Sequence, residues 1–255
     1  AFKDCSSLEL VLIGENIQRI EDSAFENCSS LTEMLLGSKV NYIGGTAFKG
    51  CSSLLRIDFG ENAEYIGAEA LKGCVNLQHI TFSNNFADFD VEDYLEFINL
   101  ESITVSSDNS VYSSVNGLLY SKDKKTLLLC PAAYSTKVFP VDSACEEIAS
   151  YAFANNPNVQ TLNLVNTKII HSNSILNCSS LANIIAPKLE VAFPSAITGT
   201  KFMNERADIT LGTVLLKKTS AGEIVEIADD VKTIAPDAFV GNESVKKLVV
   251  KNHSF

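Results

Sequence analysis

Seven cysteines, three histidines and 31 acidic residues hold most of the reactive side chains of this 255-residue chain. Cys5, Cys28, Cys51 and Cys74 stand 23 residues apart, and Phe97 follows at the same interval. Thiolates can hold zinc, but a structural zinc needs four ligands converging tetrahedrally, usually from paired C-x₂₋₄-C elements. An even series instead sets the thiols in a row, all pointing the same way. Seven is also odd, which excludes complete disulfide pairing within one chain. The spacing favours buried structural thiols, with disulfides and metal as alternatives, because an unpaired Cys commonly behaves as a small buried hydrophobe. Cys145 replaces the aliphatic residue found at Ile17, Val40 and Val231 and reads as core. Cys130 falls in an insertion and reads as the accessible thiol.

Nucleophilic chemistry finds less support. His79 occupies an outward strand position and reads as a solvated surface residue; His171 and His253 complete the set. No G-x-S-x-G, G-x-x-x-x-G-K-[ST] or H-E-x-x-H motif occurs. Asp88, Asp90, Glu92 and Asp93 form a local acidic group that reads as a solvated loop. Hard oxygen ligands leave weak Ca²⁺ binding there as an alternative, without EF-hand spacing. Asn27-Cys28-Ser29 and Asn177-Cys178-Ser179 match glycosylation sequons but fall in a slot expected to be packed. No acid, base and nucleophile can be assembled. The chain is therefore expected to be no enzyme and to carry no metal or cofactor.

Composition sets outer limits. A net charge of −11 argues against nucleic acid, whose phosphates demand a basic face. The 46% apolar content excludes wholesale disorder. No run of roughly 18 apolar residues is present, so membrane insertion as a helix is not expected. The chain opens on Ala1 without a visible signal peptide, and its start, AFKDCSSL, reads as the tail of a preceding unit. Both ends read as cut in mid-array.

Chemistry placed so regularly requires an equally regular scaffold. The 23-residue register returns at Asn156, Cys178 and Asn242, which marks a repeat architecture. Three residues after each register point stands an apolar residue: Leu8, Leu31, Leu54, Leu77, Leu100, Val159, Leu181 or Val245. Further apolar residues follow at six and eight, as in Met34 and Leu36 or Ile57 and Phe59. Alternation at i and i+2 predicts one short parallel strand per coil. Before each register point come an aliphatic residue such as Ile20 or Ile43 and an aromatic such as Phe25 or Phe48, usually preceded by Ala. One unit cannot bury this face alone, whereas stacked units can.

The pattern L-x-x-I-x-F, with Asn16, Asn62 and Asn85 beyond the strand, matches a leucine-rich repeat. The longer pattern I-x-x-x-A-F-x-x-C-x-x-L, fullest in residues 43–54, resembles the BspA-like (Treponema pallidum-type) leucine-rich repeat family. Residues 102–131, around Tyr112–Tyr120, resemble the hairpin insertion of that family. The fold class expected is α/β: a leucine-rich repeat solenoid, a right-handed superhelix of about nine coils of 22–23 residues. Its strands would line a concave sheet, with β-hairpin insertions. A single solenoid is expected over 1–255, with a hairpin insertion at 106–141. A degenerate repeat over 186–230 would include a shorter hairpin at Gly212–Glu226.

Such a strand ladder leaves two outward rows. One row runs Leu10, Glu33, Arg56, His79, Ser102 and Thr161; the other runs Leu12, Leu35, Asp58, Thr81, Thr104 and Asn163. Solenoids use surfaces of this kind for extended protein contacts. Leu10, Leu12 and Leu35 are expected to form an apolar patch, either a partner site or a face covered by chain outside this sequence. The resemblance implies an extracellular or cell-surface adhesin-like protein, monomeric, binding host matrix or bacterial surface proteins. A structural stalk presenting another domain is the alternative, with an enzyme sited at the insertions the less favoured one.

Overall fold

The computed structural model describes residues 1–193, 195–220 and 222–250. The chain divides into two compact units, Ala1–Ser135 and Thr136–Phe255.

In the first unit the repeat alternates two kinds of short strand. The longer ones are β1 (Leu10–Leu12), β3 (Glu33–Leu35), β5 (Arg56–Asp58), β7 (His79–Phe82) and β8 (Ser102–Val105). The shorter ones are β2 (Arg19–Ile20), β4 (Tyr42–Ile43) and β6 (Tyr65–Ile66). The longer strands form one five-stranded parallel sheet, and the shorter ones form a second sheet of three. Each pairing is one period in register, as in Leu10↔Glu33↔Arg56↔His79↔Ser102. The expected ladder is therefore present. The expectation of one strand per coil is corrected to two, because the aliphatic position before the aromatic also joins a ladder.

The turn ahead of each register point follows from residue type. Asp4, Asn27, Gly50 and Gly73 all have positive φ, between 60° and 80°. Gly, Asn and Asp tolerate that left-handed region far better than other residues. The turn brings successive coils together, with Phe2, Phe25 and Phe48 N–H groups donating to Ala24, Ala47 and Ala70 carbonyls at 2.7–2.9 Å. The three Phe rings stack at 5.4 and 5.9 Å, with Phe25 and Phe48 buried and Phe2, in the first coil, exposed. Leu31, Met34, Leu54, Ile57, Leu77 and Ile80 fill the opposite wall. Burial of each such side chain contributes roughly 1.5–3 kcal/mol.

The insertion forms a three-stranded antiparallel meander: β9 (Tyr112–Val115), β10 (Leu118–Ser121) and β11 (Thr126–Leu129). It is one strand larger than the two apolar runs suggest. It leans on the array, where the Ile103 N–H donates to Gly117 O at 2.9 Å and the Ala133 N–H to Leu100 O at 2.8 Å.

In the second unit the ladder resumes with β12 (Val138–Pro140), inside the stretch assigned to the insertion. The boundary at 141 is thus corrected. The ladder continues through β13 (Glu147–Ile148), β14 (Thr161–Asn163), β15 (Ile169–Ile170), β16 (Asn183–Ile185) and β17 (Val191–Ala192). Strands β12, β14 and β16 form one parallel series, and β13, β15 and β17 another. A four-residue helix, α1 (Lys201–Asn204), is capped by the Thr200 hydroxyl accepting from the Met203 N–H at 3.1 Å. Beyond it come β18 (Asp208–Leu211), β19 (Val214–Lys218), β20 (Ile224–Ile227), β21 (Thr233–Ile234) and β22 (Lys247–Val250).

The hairpin is β18–β19, not Gly212–Glu226. Gly212 supplies the turn with φ +56, and Ile224–Ile227 instead pairs in parallel with β22 as a coil strand. The α/β label also needs correction: among the described residues, α1 and a 3-10 turn at Val91–Tyr94 are the helical elements. The structure is a β-solenoid of leucine-rich repeat type.

Candidate functional site

The cysteine row proves to be internal. Cys28, Cys51, Cys74 and Cys178 are buried, and each thiol donates to a Phe carbonyl of the preceding coil. The acceptors are Phe2, Phe25, Phe48 and Phe153, at 3.0–3.3 Å. Burial pushes the Cys51 and Cys178 thiols up to about 12 and raises those of Cys28 and Cys74 as well. Asn156, at the same register position, also serves its own turn, its Oδ1 accepting from the Asn158 and Val159 N–H groups at 2.9 and 3.0 Å.

Two thiols differ from expectation. Cys130 is buried, 1% exposed, because the meander is held against the array; Cys5, in the first coil, is exposed. Cys145 is buried as expected, whereas Ile17, of the same position, is 45% exposed. The asparagines of both sequons, Asn27 and Asn177, are exposed on their turns instead of packed.

No catalytic group assembles around the histidines that are described. His79 Nδ1 lies 2.8 Å from Ser102 Oγ on the strand face, half-buried. His171 Nε2 lies 3.1 Å from Glu147 Oε2, and its ring stacks on Phe193 at 5.3 Å. His253 and the side chain of Asp93 lie outside the described residues. Of the acidic group, Asp90 caps the 3-10 turn, accepting from the Glu92 N–H at 3.0 Å. Among the described residues no group of three or more His, Cys, Asp or Glu is placed to hold a metal ion.

The strand face of the first unit does collect the predicted outward residues. Leu10, Leu12 and Leu35 are 49%, 65% and 51% exposed, and the register sets Leu12 beside Leu35. Glu33, Arg56, Asp58 and Thr104 are exposed; His79, Thr81 and Ser102 are half-buried. Glu33, Leu35, Arg56, Asp58, His79 and Thr81 line a shallow groove of about 160 Å³ over β3, β5 and β7. Asp58 is oriented within its strand end, its Oδ1 accepting from the Gly60 N–H at 2.8 Å. The arrangement offers apolar contact at one side and charges of both signs with hydroxyls at the other.

Thr161 and Asn163 lie on the corresponding face of the second unit, on β14 and half-buried. There the row begins at Val138, 59% exposed and directly paired with Thr161. Sequence reasoning missed Val138 because the insertion boundary was set beyond it. The signal available was the V-x-P strand itself, one period before Thr161–Asn163.

A family model for the BspA type leucine-rich repeat region matches six copies over residues 1–116 and 134–205. The chain belongs to the BspA-type leucine-rich repeat family. The unmatched stretch between the two blocks contains β10 and β11 of the meander, whereas β9 falls within the first block. Solved structures also resemble this BspA-type chain. A leucine-rich cell surface protein of Faecalibacterium prausnitzii is 19% identical, over 97% of this chain and 80% of that one, with a TM-score of 0.49. A leucine-rich repeat protein of Bacteroides ovatus is 17% identical over 95% and 69%, TM-score 0.49. The pneumococcal vaccine antigen PcpA is 16% identical over 96% and 68%, TM-score 0.43. Among curated proteins no relative matches.

Proposed function

We propose that this BspA-type solenoid is a non-enzymatic protein-binding module that acts outside the cell or at its surface, adhesin-like. Its partner docks on the exposed strand face of the first unit. The observation that carries this reading is the side-by-side placement of Leu10, Leu12 and Leu35, each about half exposed or more, next to the charged groove of Glu33, Arg56 and Asp58. An apolar patch rimmed by polar groups is the usual form of a protein contact site. Host matrix or bacterial surface proteins are the partners that family membership suggests.

The test is retention of extracellular-matrix and cell-surface fractions by the immobilised protein and by its Leu12→Asp/Leu35→Asp variant. The reading expects a discrete partner retained by the parent and lost by at least tenfold in the variant, which loses about 1.4 kcal/mol or more of binding. Retention of no partner by either favours the stalk reading, and equal retention by both overturns this docking face.

A further inference from the structure

The second sheet of the first unit carries an aromatic stack that is capped at one end only. Tyr42 and Tyr65 follow Arg19 in register, Arg19↔Tyr42↔Tyr65, on β2, β4 and β6. The two rings stack at 5.0 Å with 12° between planes. Arg19 Cζ lies 3.8 Å from the Tyr42 ring centroid, and Glu21 holds the guanidinium through Nε at 2.7 Å. One end of the stack is thus closed by a cation that is itself paired with a carboxylate.

The other end is different. One period beyond Tyr65 the chain places Asp88 instead of a third ring or a second arginine. Tyr65 is 47% exposed and lines a groove of about 260 Å³. Buried Leu71 and Phe97 form its apolar floor, and exposed Asp88 and Asp90 also line it. Lys72 reaches the same groove but is paired with Glu69 at 2.8 Å. Hydrogen bonds from Lys49 and from Lys72 hold the Glu69 carboxyl down to about 2, so that pairing persists at neutral pH.

The geometry points to a binding site for the guanidinium of an arginine in a partner polypeptide, seated on the open face of Tyr65 and paired with Asp88 and Asp90. It repeats, at the open end, the chemistry that Arg19 and Glu21 supply at the closed end. An aromatic face attracts a cation through its quadrupole, and a planar guanidinium can stack while its fork meets a carboxylate. A lysine ammonium satisfies the charge but not the stacking. The site lies on β6 and the loop after β7, apart from the Leu12–Leu35 patch, and does not depend on the docking face proposed above.

The experiment uses the full chain, isotope-labelled, titrated by NMR with a blocked Gly-Arg-Gly peptide and, in parallel, with its lysine and glutamate counterparts and a methyl glucoside. The arginine peptide is expected to shift Tyr65 and Asp88 resonances and to bind more tightly than the lysine peptide, while glutamate and glucoside leave them unmoved. Tyr65→Leu keeps the charge and is expected to weaken binding ~fivefold. Asp88→Asn weakens it as well, whereas the remote Asp229→Asn/Asp230→Asn and the Leu12→Asp/Leu35→Asp variants bind as the parent does. Native-like circular dichroism is required of each variant. Parent-like binding by both Tyr65→Leu and Asp88→Asn, or an equal loss in Asp229→Asn/Asp230→Asn, overturns the site. So does a shift of the same resonances by the glucoside alone.

Discussion

Cys51 and its counterparts show how one small side chain serves a whole array. Cys51 and Cys74 are buried in the stack, and each thiol donates to a Phe carbonyl of the coil before it. Native protein treated with a thiol-specific reagent near pH 8 is therefore expected to label at Cys5 alone, with Cys130 protected; all seven cysteines label after denaturation. Rapid native labelling of Cys130 would contradict its burial. The alkaline limb of stability has the same origin. The folded-state values of Cys51 and Cys178 lie above the ordinary 9.0, at about 12. Their contribution is complete below pH 9 and is lost as pH rises from there toward 12, because the unfolded chain ionises first. The residue spacing alone disclosed this slot, since period and size were both visible. The exposure of Cys5 and burial of Cys130 were not, because each depends on which neighbour lies above a residue, and that is fixed by stacking.

Between elements, the closest constraint is backbone against backbone. A Cβ at Gly67 would come within 2.2 Å of Gly45 Cα, in the coil below. Gly67→Ala is expected to cost about 1–3 kcal/mol, as overpacking does. Gly14→Ala, with nothing within 4 Å of its would-be Cβ, should stay within roughly 0.5 kcal/mol. Chemical denaturation of the two variants decides this, and equal midpoints would refute the tight approach. The main strands were legible because their inward residues alternate over a core. The two-residue strands at Tyr42–Ile43 and Tyr65–Ile66 were not, being too short to show alternation. The second hairpin was misplaced because Ile224–Ile227 alternates like either a hairpin arm or a coil strand, and only its partner β22 decides.

At the scale of the whole molecule, contacts between neighbouring coils dominate each unit, so stability approximates a sum over coils and interfaces. Removing residues 28–50 joins Asn27 to Cys51 and deletes one complete period. That variant is expected to retain β-sheet circular dichroism and a cooperative, lower thermal transition. Removing only residues 28–39 breaks the register and is expected to abolish the transition; survival of both would mean that the period is not the folding unit. The family was readable from the sequence at this scale, because repetition averages out local ambiguity. The strand-face rows were readable with it, as at Leu12 and Leu35. The open Tyr65 stack was not, since its meaning comes from a missing neighbour one turn on.

The hydrogen bonds between coils in the first unit recur once per period, from Phe2 N to Ala24 O and onward through Phe48 N to Ala70 O. They run along the stacking direction, not across it. A tensile load drawing the first coil off the second therefore meets them in opening mode, a few at a time, instead of shearing a whole sheet together. Each coil so detached releases roughly 75–80 Å of extended chain. The thiol-to-carbonyl and ring-on-ring contacts break within the same step. Under pull, such a stack is expected to yield by peeling in successive increments and to lengthen while its remaining coils stay folded.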